Sequence, residues 1–441
     1  MAPTQSTMGR YDLPQSLILS LDKDSIKNYT LYMQGKYELY FRNLEAEIGR
    51  LIEKGQSAII LGARQTGKTT LIKKRLTGLL DVLEYPLQNP VIRQEMETDP
   101  SRLVRQIEAH RGKPVVFIDE AQKTPEIFDG VQYLIDEKKA SFIITGSSAR
   151  KLRRRGVNLL PGRVKNFRLD PLQWNEAGWV EDKDCRILSI KNINRAPDYS
   201  FDDSLVFGSL PGIVRLSDDA ERSDALRAYT HIYLEEEIRA EALSRKIGGF
   251  GRFLELAAQE SGSSPNLTKL SLESGVSVPT IKEFYSILED TLVVEKVEPY
   301  LKNARKRILA TPRYYLFDTG VRNAMARAPL SSGLLNVEKG RLFEHGVILE
   351  IIRRIRSLAL PHKVYYWRTG GGAEVDCIVD TGERLIPIEI KSGRHVTPSD
   401  LKGLKSFMDT YNAADHGFVI TSGRAPEKLT DRITAIPWRY I

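Results

Sequence analysis

The stretch SAIILGARQTGKTTL, residues 57–71, constrains the fold of this chain more than any other part. Its apolar run, residues 58–61, predicts a short buried parallel strand. Residues 62–69 fit the pattern G-x-x-x-x-G-K-[ST] at every fixed position, and residues 70–75 are compatible with a helix. A strand, a glycine-rich loop and a helix in this order predict an α/β fold with a phosphate-binding loop.

The residue types of this loop suit a nucleoside triphosphate. Gly62 and Gly67 allow a tight turn that brings backbone N–H groups against phosphate oxygens. Lys68, at the start of the helix, is expected to reach the β- and γ-phosphates, and Thr69 to ligate Mg²⁺. A glycine turn without a ligand is the alternative, which the full match disfavours. The predicted nucleotide-binding residues are Gly62, Ala63, Arg64, Gln65, Thr66, Gly67, Lys68, Thr69, Thr70 and Asp119.

Two further apolar strands end in polar residues suited to hydrolysis. Residues 114–118 deliver Asp119 and Glu120, of which the first is expected to hold the Mg²⁺ shell and the second to polarise the attacking water. Residues 141–145 are followed by Gly146, Ser147 and Ser148, and of the two serines Ser147 is favoured over Ser148 as the residue that senses the γ-phosphate. Simple surface charge is the alternative for the two acids, and their combination with the loop argues against it.

Arg163 is a candidate arginine finger supplied to a neighbouring subunit. It lies in the segment LPGRV, residues 160–164. A solvated basic residue is equally compatible with the spacing.

The segments GARQTGKTT, FIDEAQK, ITGSSARKL and LPGR resemble the AAA-type ATPases of bacteria and archaea that carry a C-terminal region of uncertain function. The later LPG, FDTG and EVD…EIK segments also fit that pattern, so the resemblance covers most of the chain. It implies ATP and Mg²⁺ as cofactors and a homo-oligomer, a hexamer being one arrangement, with nucleotide between subunits. It also implies the following catalytic or metal-binding residues: Lys68, Thr69, Asp119, Glu120, Ser147 and Arg163.

Composition favours a cytoplasmic protein that binds an anionic partner. No apolar run is long enough to span a membrane, residues 1–15 lack the layout of a secretion signal, and two cysteines cannot form a disulfide framework. A formal charge of +8 indicates an anionic partner, with duplex or branched DNA expected first. Basic clusters at residues 150–155, 302–307 and 353–356 support this, although each is also compatible with a solvated face.

Two helical stretches flank the predicted ATPase core. Residues 39–54 carry an apolar stripe that includes Ile48 and Leu51, which predicts a helix packed on the core. Residues 219–246 predict a helix whose apolar residues, among them Tyr229 and Ile232, would form a lid over the nucleotide.

Residues 250–318 have the rhythm of a winged helix-turn-helix. Three helices with a glycine turn at Gly275 precede β-prone residues 292–297 and the basic loop 302–307. The third helix carries Lys282 but also Glu283, so the basic wing is the better candidate for contact with DNA phosphates. Packing or protein binding is the alternative role.

A second possible chemistry lies near the C-terminus. Asp376 and Glu389 are expected on adjacent hairpin strands, with Lys391 on the same face as Glu389. Such carboxylates hold Mg²⁺, and the ammonium group orients or deprotonates a water. The arrangement resembles the PD-(D/E)xK nuclease superfamily, with Glu344 as the helix acid and Val375-Asp376 in place of the leading PD. An ion pair at a strand edge, or a nuclease fold retained only for DNA binding, is the alternative.

The expected fold class is α/β multidomain, in five parts. These are an N-terminal arm (1–38), an AAA-type parallel-sheet core (39–174), a connector with a helical lid (175–249), a winged helix-turn-helix domain (250–335) and a restriction-endonuclease-like α/β domain (336–441). The expected function is a Mg²⁺-dependent ATPase that acts on duplex or branched DNA as an oligomeric motor or remodeller. The alternatives are an ATP-gated, metal-dependent endonuclease and a nucleotide-switched protein-interaction scaffold.

Overall fold

The structure is a computed structural model that describes residues 40–79, 81–148, 160–180, 199–240, 247–301 and 311–441, without the side chains of 233–240 and 247. The predicted N-terminal arm, most of the connector, and the basic clusters at 150–155 and 302–307 lie outside the described residues.

A parallel five-stranded sheet forms the first half of the described chain. Its strands have the order β2-β3-β4-β1-β5, so β4 lies between the strand that leads into the glycine-rich loop and the strand that ends in Asp119. All carboxyl ends meet at one edge, where ligands bind in open α/β sheets. The bounds are β1 (Ser57–Leu61), β2 (Val82–Pro86), β3 (Val115–Asp119), β4 (Ser141–Gly146) and β5 (Val164–Arg168).

Helices cover both faces of this sheet, which explains why its central strands are apolar throughout. Ile59 and Ile144 pack into one buried cluster, while Ile60 and Ile143 pack into another on the opposite face. The helices are α1 (Glu45–Glu53), α2 (Lys68–Leu76), α3 (Pro90–Thr98), α4 (Ser101–Glu108) and α5 (Phe128–Asp136). The helix predicted over 39–54 begins only at Glu45.

A helical segment follows the sheet and confirms the helix predicted from Asp219. Its members are α6 (Phe201–Phe207), α7 (Pro211–Val214) and α8 (Asp219–Ala240). Ser200 begins α6 with a capping box, in which its hydroxyl accepts the Asp203 N–H (3.1 Å) and the Asp203 carboxylate accepts the Ser200 N–H (2.7 Å).

The three helices predicted after residue 250 are present, and an antiparallel strand pair follows them. They are α9 (Ile247–Gln259), α10 (Leu267–Ser274), α11 (Val278–Asp290), β6 (Val294–Pro299) and β7 (Arg313–Leu316). The ring centroids of Phe250 and Phe253 lie 4.8 and 5.2 Å from that of Phe284, so aromatic packing fixes α9 against α11.

The C-terminal part adds an α/β layer to the same sheet as β6 and β7. The order β12-β13-β11-β10-β9-β8-β6-β7 makes one eight-stranded sheet, because Glu298 and Pro299 of β6 pair in parallel with β8. This sheet runs across the predicted domain boundary at residue 335. The elements are α12 (Thr319–Met325), α13 (Leu335–Ser357), β8 (Lys363–Arg368), β9 (Glu374–Asp380), β10 (Leu385–Ile390), α14 (Lys402–Thr410), β11 (Gly417–Thr421), β12 (Glu427–Thr430) and β13 (Ile433–Pro437).

The basic cluster at 353–356 is not the solvated, DNA-facing surface that the sequence suggested. Arg353 is buried, and its guanidinium donates to the Phe317 carbonyl oxygen (2.6 Å). Arg354 is ion-paired with Glu350 on the same helix, and Arg356 is ion-paired with Asp170, because α13 packs against the segment that follows the five-stranded sheet.

Within the described ranges, no helix combines the length and apolar character that crossing a membrane requires.

Candidate active sites

Two positions of the glycine-rich loop favour glycine, one because of its backbone conformation and one because of close packing. Gly67 has φ +92° at the residue before α2. A Cβ on Gly62 would come within 2.3 Å of the Leu169 carbonyl oxygen, so close packing against the end of β5 also excludes a side chain there. This packing adds a second reason for glycine at position 62, beyond the tight turn and phosphate contact expected from the sequence.

A cavity of about 520 Å³ lies over this loop, and this volume is in the range of pockets that bind small molecules and cofactors. Residues 64, 65 and 67–70 form one wall, and Glu120 forms part of another. Tyr229 and Ile232 of α8 also line it, which places the predicted lid helix at the cavity. Arg215, just after α7, lines the cavity too; it was not among the predicted site residues, although it follows the Leu-Pro-Gly interruption at 210–212.

The structure brings together the two side chains predicted to share a magnesium ion. The Thr69 hydroxyl lies 3.0 and 2.9 Å from the two carboxylate oxygens of Asp119. Thr145 donates to the same carboxylate at 2.5 Å, and the Gln88 amide donates to it at 3.3 Å. Thr145 and Gln88 were not among the predicted site residues, although the position of Thr145 near the end of a predicted strand was a signal for it.

Glu120 is held by neutral donors in an unusual backbone conformation. Its φ of +58° is rare for a residue with a side chain, and such strain concentrates at functional sites. The Ser147 hydroxyl donates to Glu120 Oε2 (3.1 Å), and the Gln122 amide group donates to the same oxygen and to Ser147 Oγ. Ser147 is therefore placed where it orients the predicted water-polarising acid.

Lys68 is a buried cation beside these acids. Its ammonium donates to the carbonyl oxygens of Gly62 (2.8 Å) and Ala63 (2.9 Å). Burial lowers the pKa of Lys68 to about 8, and the charges of Glu120 and Asp119 oppose that shift. A desolvated ammonium at this position favours an incoming anion such as a phosphate group.

Arg42 stabilises the phosphate-binding loop through buried hydrogen bonds, and no sequence pattern indicated this role. Its guanidinium donates to the Thr66 carbonyl oxygen (2.7 Å), to the Asp170 carbonyl oxygen (2.6 Å) and to the Glu176 carboxylate (3.0 Å). One buried side chain thus ties the phosphate-binding loop to the segment that follows β5.

Arg163 lies outside the nucleotide cavity of its own chain. Its guanidinium forms two hydrogen bonds to the Asp136 carboxylate, at 2.6 and 3.0 Å. These bonds raise the pKa of Arg163 and lower that of Asp136. Its role as an arginine finger for a neighbouring subunit stays a prediction.

The carboxylates predicted near the C-terminus occupy neighbouring elements. Asp376 on β9 accepts the Ile390 N–H (2.8 Å) across the antiparallel pair β9–β10, and Lys391 lies 2.8 Å from Glu389. Glu344, on α13, accepts a weak hydrogen bond from Tyr315 (3.4 Å).

These three carboxyl groups perturb one another. Burial and the charge of Asp376 raise the pKa of Glu344 to about 7 and that of Glu389 to about 8, and burial raises the pKa of Asp376. Glu389 Oε2 is buried without a hydrogen-bond partner. Carboxylate oxygens with unmet coordination suit a hard cation such as Mg²⁺.

Over the described ranges, however, no three His, Cys, Asp or Glu side chains are close enough together to form a metal site. Asp376, Glu389 and Lys391 lie on neighbouring strands. Together with Glu344 they do not form a complete ligand shell for a metal ion.

Comparison with protein families agrees with the geometry of the first site. A family model described as an AAA domain matches residues 54–178. The chain therefore carries an AAA-type P-loop ATPase domain. Two models described as domains of unknown function, DUF8612 and DUF4143, match residues 198–332 and 339–441.

Similar proteins extend over most of the chain. Uncharacterized proteins of Mycobacterium bovis and Mycobacterium tuberculosis are each 26% identical over 401 residues, covering 90% of this chain and 83% of theirs. Among solved structures, a Walker-type ATPase of Pyrococcus abyssi matches at 12% identity and a TM-score of 0.42, covering 65% of this chain and 96% of that one.

Proposed function

We propose that this chain is a Mg²⁺-dependent ATPase that acts on duplex or branched DNA, as an oligomeric motor or remodeller. The observation that carries the ATPase part is the contact of 2.9 Å between the Thr69 hydroxyl and the Asp119 carboxylate, at the edge of a cavity that also contains Lys68 and Glu120.

Each residue at this edge has a role in hydrolysis. Lys68 and the N–H groups of the loop would bind the phosphates, and Thr69 with Asp119 would hold Mg²⁺, which neutralises phosphate charge when bound. Ser147 and Gln122 fix one oxygen of the Glu120 carboxylate. Glu120 lines the cavity, so its other oxygen would accept the proton of the attacking water.

The helical region supports action on DNA. Three helices followed by an antiparallel strand pair are typical of a winged helix-turn-helix. On α11 the exposed residues include one cation, Lys282, and one anion, Glu283. That face alone favours contact with DNA only weakly, and the formal charge of +8 supplies the more general attraction.

ATP turnover is expected to increase severalfold when DNA is added. It is measured as phosphate release with single-stranded, duplex, forked and four-way DNA in the presence of Mg²⁺. The stimulation should weaken steeply as salt rises, because DNA binding releases counterions, and Lys68→Ala should lower the turnover with or without DNA. Turnover that no form of DNA changes would reject the DNA-acting proposal and favour the protein-interaction scaffold.

A second candidate, an ATP-gated endonuclease, is favoured by a connection between the two sites. Arg42 donates to the loop at Thr66 and to the carbonyl oxygen of Asp170, and the Asp170 carboxylate pairs with Arg356 at 2.6 Å. Arg356 and Glu344 belong to one helix, α13, about 18 Å apart along its axis. These contacts connect the phosphate-binding loop to the helix that carries Glu344.

In this second reaction the cluster would act on a phosphodiester. Asp376, Glu389 and Glu344 would each supply at most part of the ligand shell of Mg²⁺, and water and phosphodiester oxygens would complete it. The ion acts as a Lewis acid when bound, and Lys391 would orient or deprotonate the water. The buried Glu389 Oε2, which has no hydrogen-bond partner, is the atom of this cluster that supports a cation ligand role.

Nicking of supercoiled DNA by this cluster is expected to rise with pH between about 6 and 9. The cation can bind only after Glu344 and Glu389 lose their protons, and their pKa values are raised to about 7 and about 8. Asp376→Ala and Lys391→Ala should abolish nicking, whereas Lys68→Ala should retain it. Nicking that persists in Asp376→Ala, or that falls as pH rises, would contradict this role.

A further inference from the structure

A second cavity, of about 450 Å³, opens beside the carboxylate cluster. One wall is the loop after α9, residues 262–264, and the other comes from β7, α13 and the ends of β8 and β9. The cleft therefore lies between the three-helix region and the C-terminal layer. Its charged lining residues are Arg313, Arg341, Glu344, Arg368 and Glu374.

Arg313 is the buried cation of this cleft. It is ion-paired with Glu374, lies 3.7 Å from Glu344, and sits over the ring of Tyr366, 4.5 Å from its centroid. Its side chain is only 8% exposed, and its Nε has no hydrogen-bond partner. Arg313 therefore positions Glu344 and still offers a buried donor.

Two further arginines stand at the mouth of the cleft. The Arg341 guanidinium donates to the carbonyl oxygens of Gln259 and Ser261, which holds it across the loop that ends α9. Arg368 is 63% exposed and lies 3.6 Å from Glu374. An exposed ion pair of this kind contributes little, so Arg368 can exchange its carboxylate partner for a phosphate at small cost.

The lining chemistry indicates which ligand fits. Guanidinium groups bind phosphate oxygens through two parallel hydrogen bonds. Tyr315, the aromatic residue that lines the cleft, is fully buried and offers no stacking face for a base. The volume corresponds to a small organic ligand, which is the scale of one nucleotide and much less than that of a duplex.

We propose that this cleft binds the sugar–phosphate backbone of a single nucleic-acid strand, with Arg341 and Arg368 contacting phosphates next to Glu344. This rests on the proposed action on nucleic acid and identifies the strand form that the C-terminal region recognises. The contacts are to phosphates, so the binding is independent of sequence.

The test compares two double variants with the same change in charge. Arg341→Gln with Arg368→Gln removes the cleft cations. Arg227→Gln with Arg327→Gln removes two exposed arginines elsewhere, one paired with Asp224 and one with Glu255. Fluorescence anisotropy of the full chain is measured with a labelled 20-nucleotide single strand and with its duplex, over a salt series. Thermal unfolding checks that every variant is folded.

The cleft variant should lower the slope of log K against log salt for the single strand by about 1.4, since each lost phosphate contact removes about 0.7. Its duplex binding should change less, and the control should keep the single-strand slope. An unchanged single-strand slope, or an equal loss in the control, would overturn the assignment of the cleft. If the unaltered chain binds neither nucleic acid, the DNA-acting proposal fails as well, which distinguishes the two failures.

Discussion

Replacing Glu120 with glutamine is expected to slow ATP hydrolysis by a factor of about 10² to 10⁴, while ATP with Mg²⁺ still binds. Glutamine keeps the length of the side chain and an oxygen that can accept from Ser147. It cannot take a proton from water at neutral pH. The loss should therefore appear in kcat, with KM nearly unchanged, because the missing interaction belongs to the transition state.

Lys68→Ala is the informative comparison, because Lys68 would contact the nucleotide before and during the reaction. That variant should weaken ATP binding as well as turnover, with turnover falling about 10²- to 10³-fold as for other removed electrostatic contacts. Phosphate release gives the turnover, and titration with a fluorescent ATP analogue gives the affinity.

Asp129→Asn is the matched control for Glu120→Gln. Asp129 is an exposed acid of α5, nine residues further along the chain, and its loss changes the charge by the same amount. This variant should hydrolyse ATP within about twofold of the unaltered chain, as expected for a surface substitution. If Glu120→Gln behaved like this control, Glu120 would not be the water-polarising residue.

The phosphate-binding loop and the acid pair could be predicted from the sequence, because both depend on local patterns of residues. A parallel strand places the residue after it at the carboxyl edge of the sheet, so Thr69 and Asp119 were expected to meet although 50 positions separate them. The same rule would have found Thr145. Sensing of the γ-phosphate by Ser147 stays a prediction; its hydroxyl donates to Glu120, because β4 lies directly beside β3.

Contacts between distant segments could not be obtained in this way. Arg42 reaches Thr66 and Asp170, which are 24 and 128 positions away, and nothing in its own neighbourhood indicates those partners. The pairing of β6 with β8 could not be predicted either. The alternation of apolar and polar residues in a strand shows which face is buried, but it does not show which strand lies beside it. The basic residues at 353–356 resembled a DNA-binding face because local charge does not reveal burial.

Arg356, one of these basic residues, belongs to an ion-pair network whose loss is expected to have the largest effect on stability. Arg168, Asp170, Glu295 and Arg356 form a closed ring in which each guanidinium contacts both carboxylates. Three of its sides are Arg168–Asp170 at 3.0 Å, Arg356–Asp170 at 2.6 Å and Arg356–Glu295 at 3.1 Å. The ring joins the end of β5, β6 and α13, so it connects the ATPase sheet to the C-terminal layer.

Arg356→Met is expected to lower the free energy of unfolding by about 3–5 kcal/mol, because two largely buried carboxylates then share one guanidinium. Replacing all four members together, with methionine for the arginines and leucine for the acids, should cost much less, since no uncompensated charge stays buried. Urea unfolding followed by tryptophan fluorescence measures both. Arg327→Met is the control: its guanidinium is 80% exposed and paired with Glu255, and its loss should cost under about 1 kcal/mol.

The contribution of this ring to stability is expected to depend on pH in a different range from the nicking activity of the carboxylate cluster. Burial alone would raise the pKa of Asp170, but Arg356 and Arg168 outweigh it and lower that pKa to about 2. A lowered pKa means that the contribution of Asp170 is fully present above its ordinary value near 3.8 and is lost only as pH falls through about 2. The cost of Arg356→Met should therefore be the same at pH 6 and pH 9, the range in which nicking is expected to change. A cost that varied across this range, or that matched the Arg327→Met control, would show that the ring does not hold these two layers together through its charges.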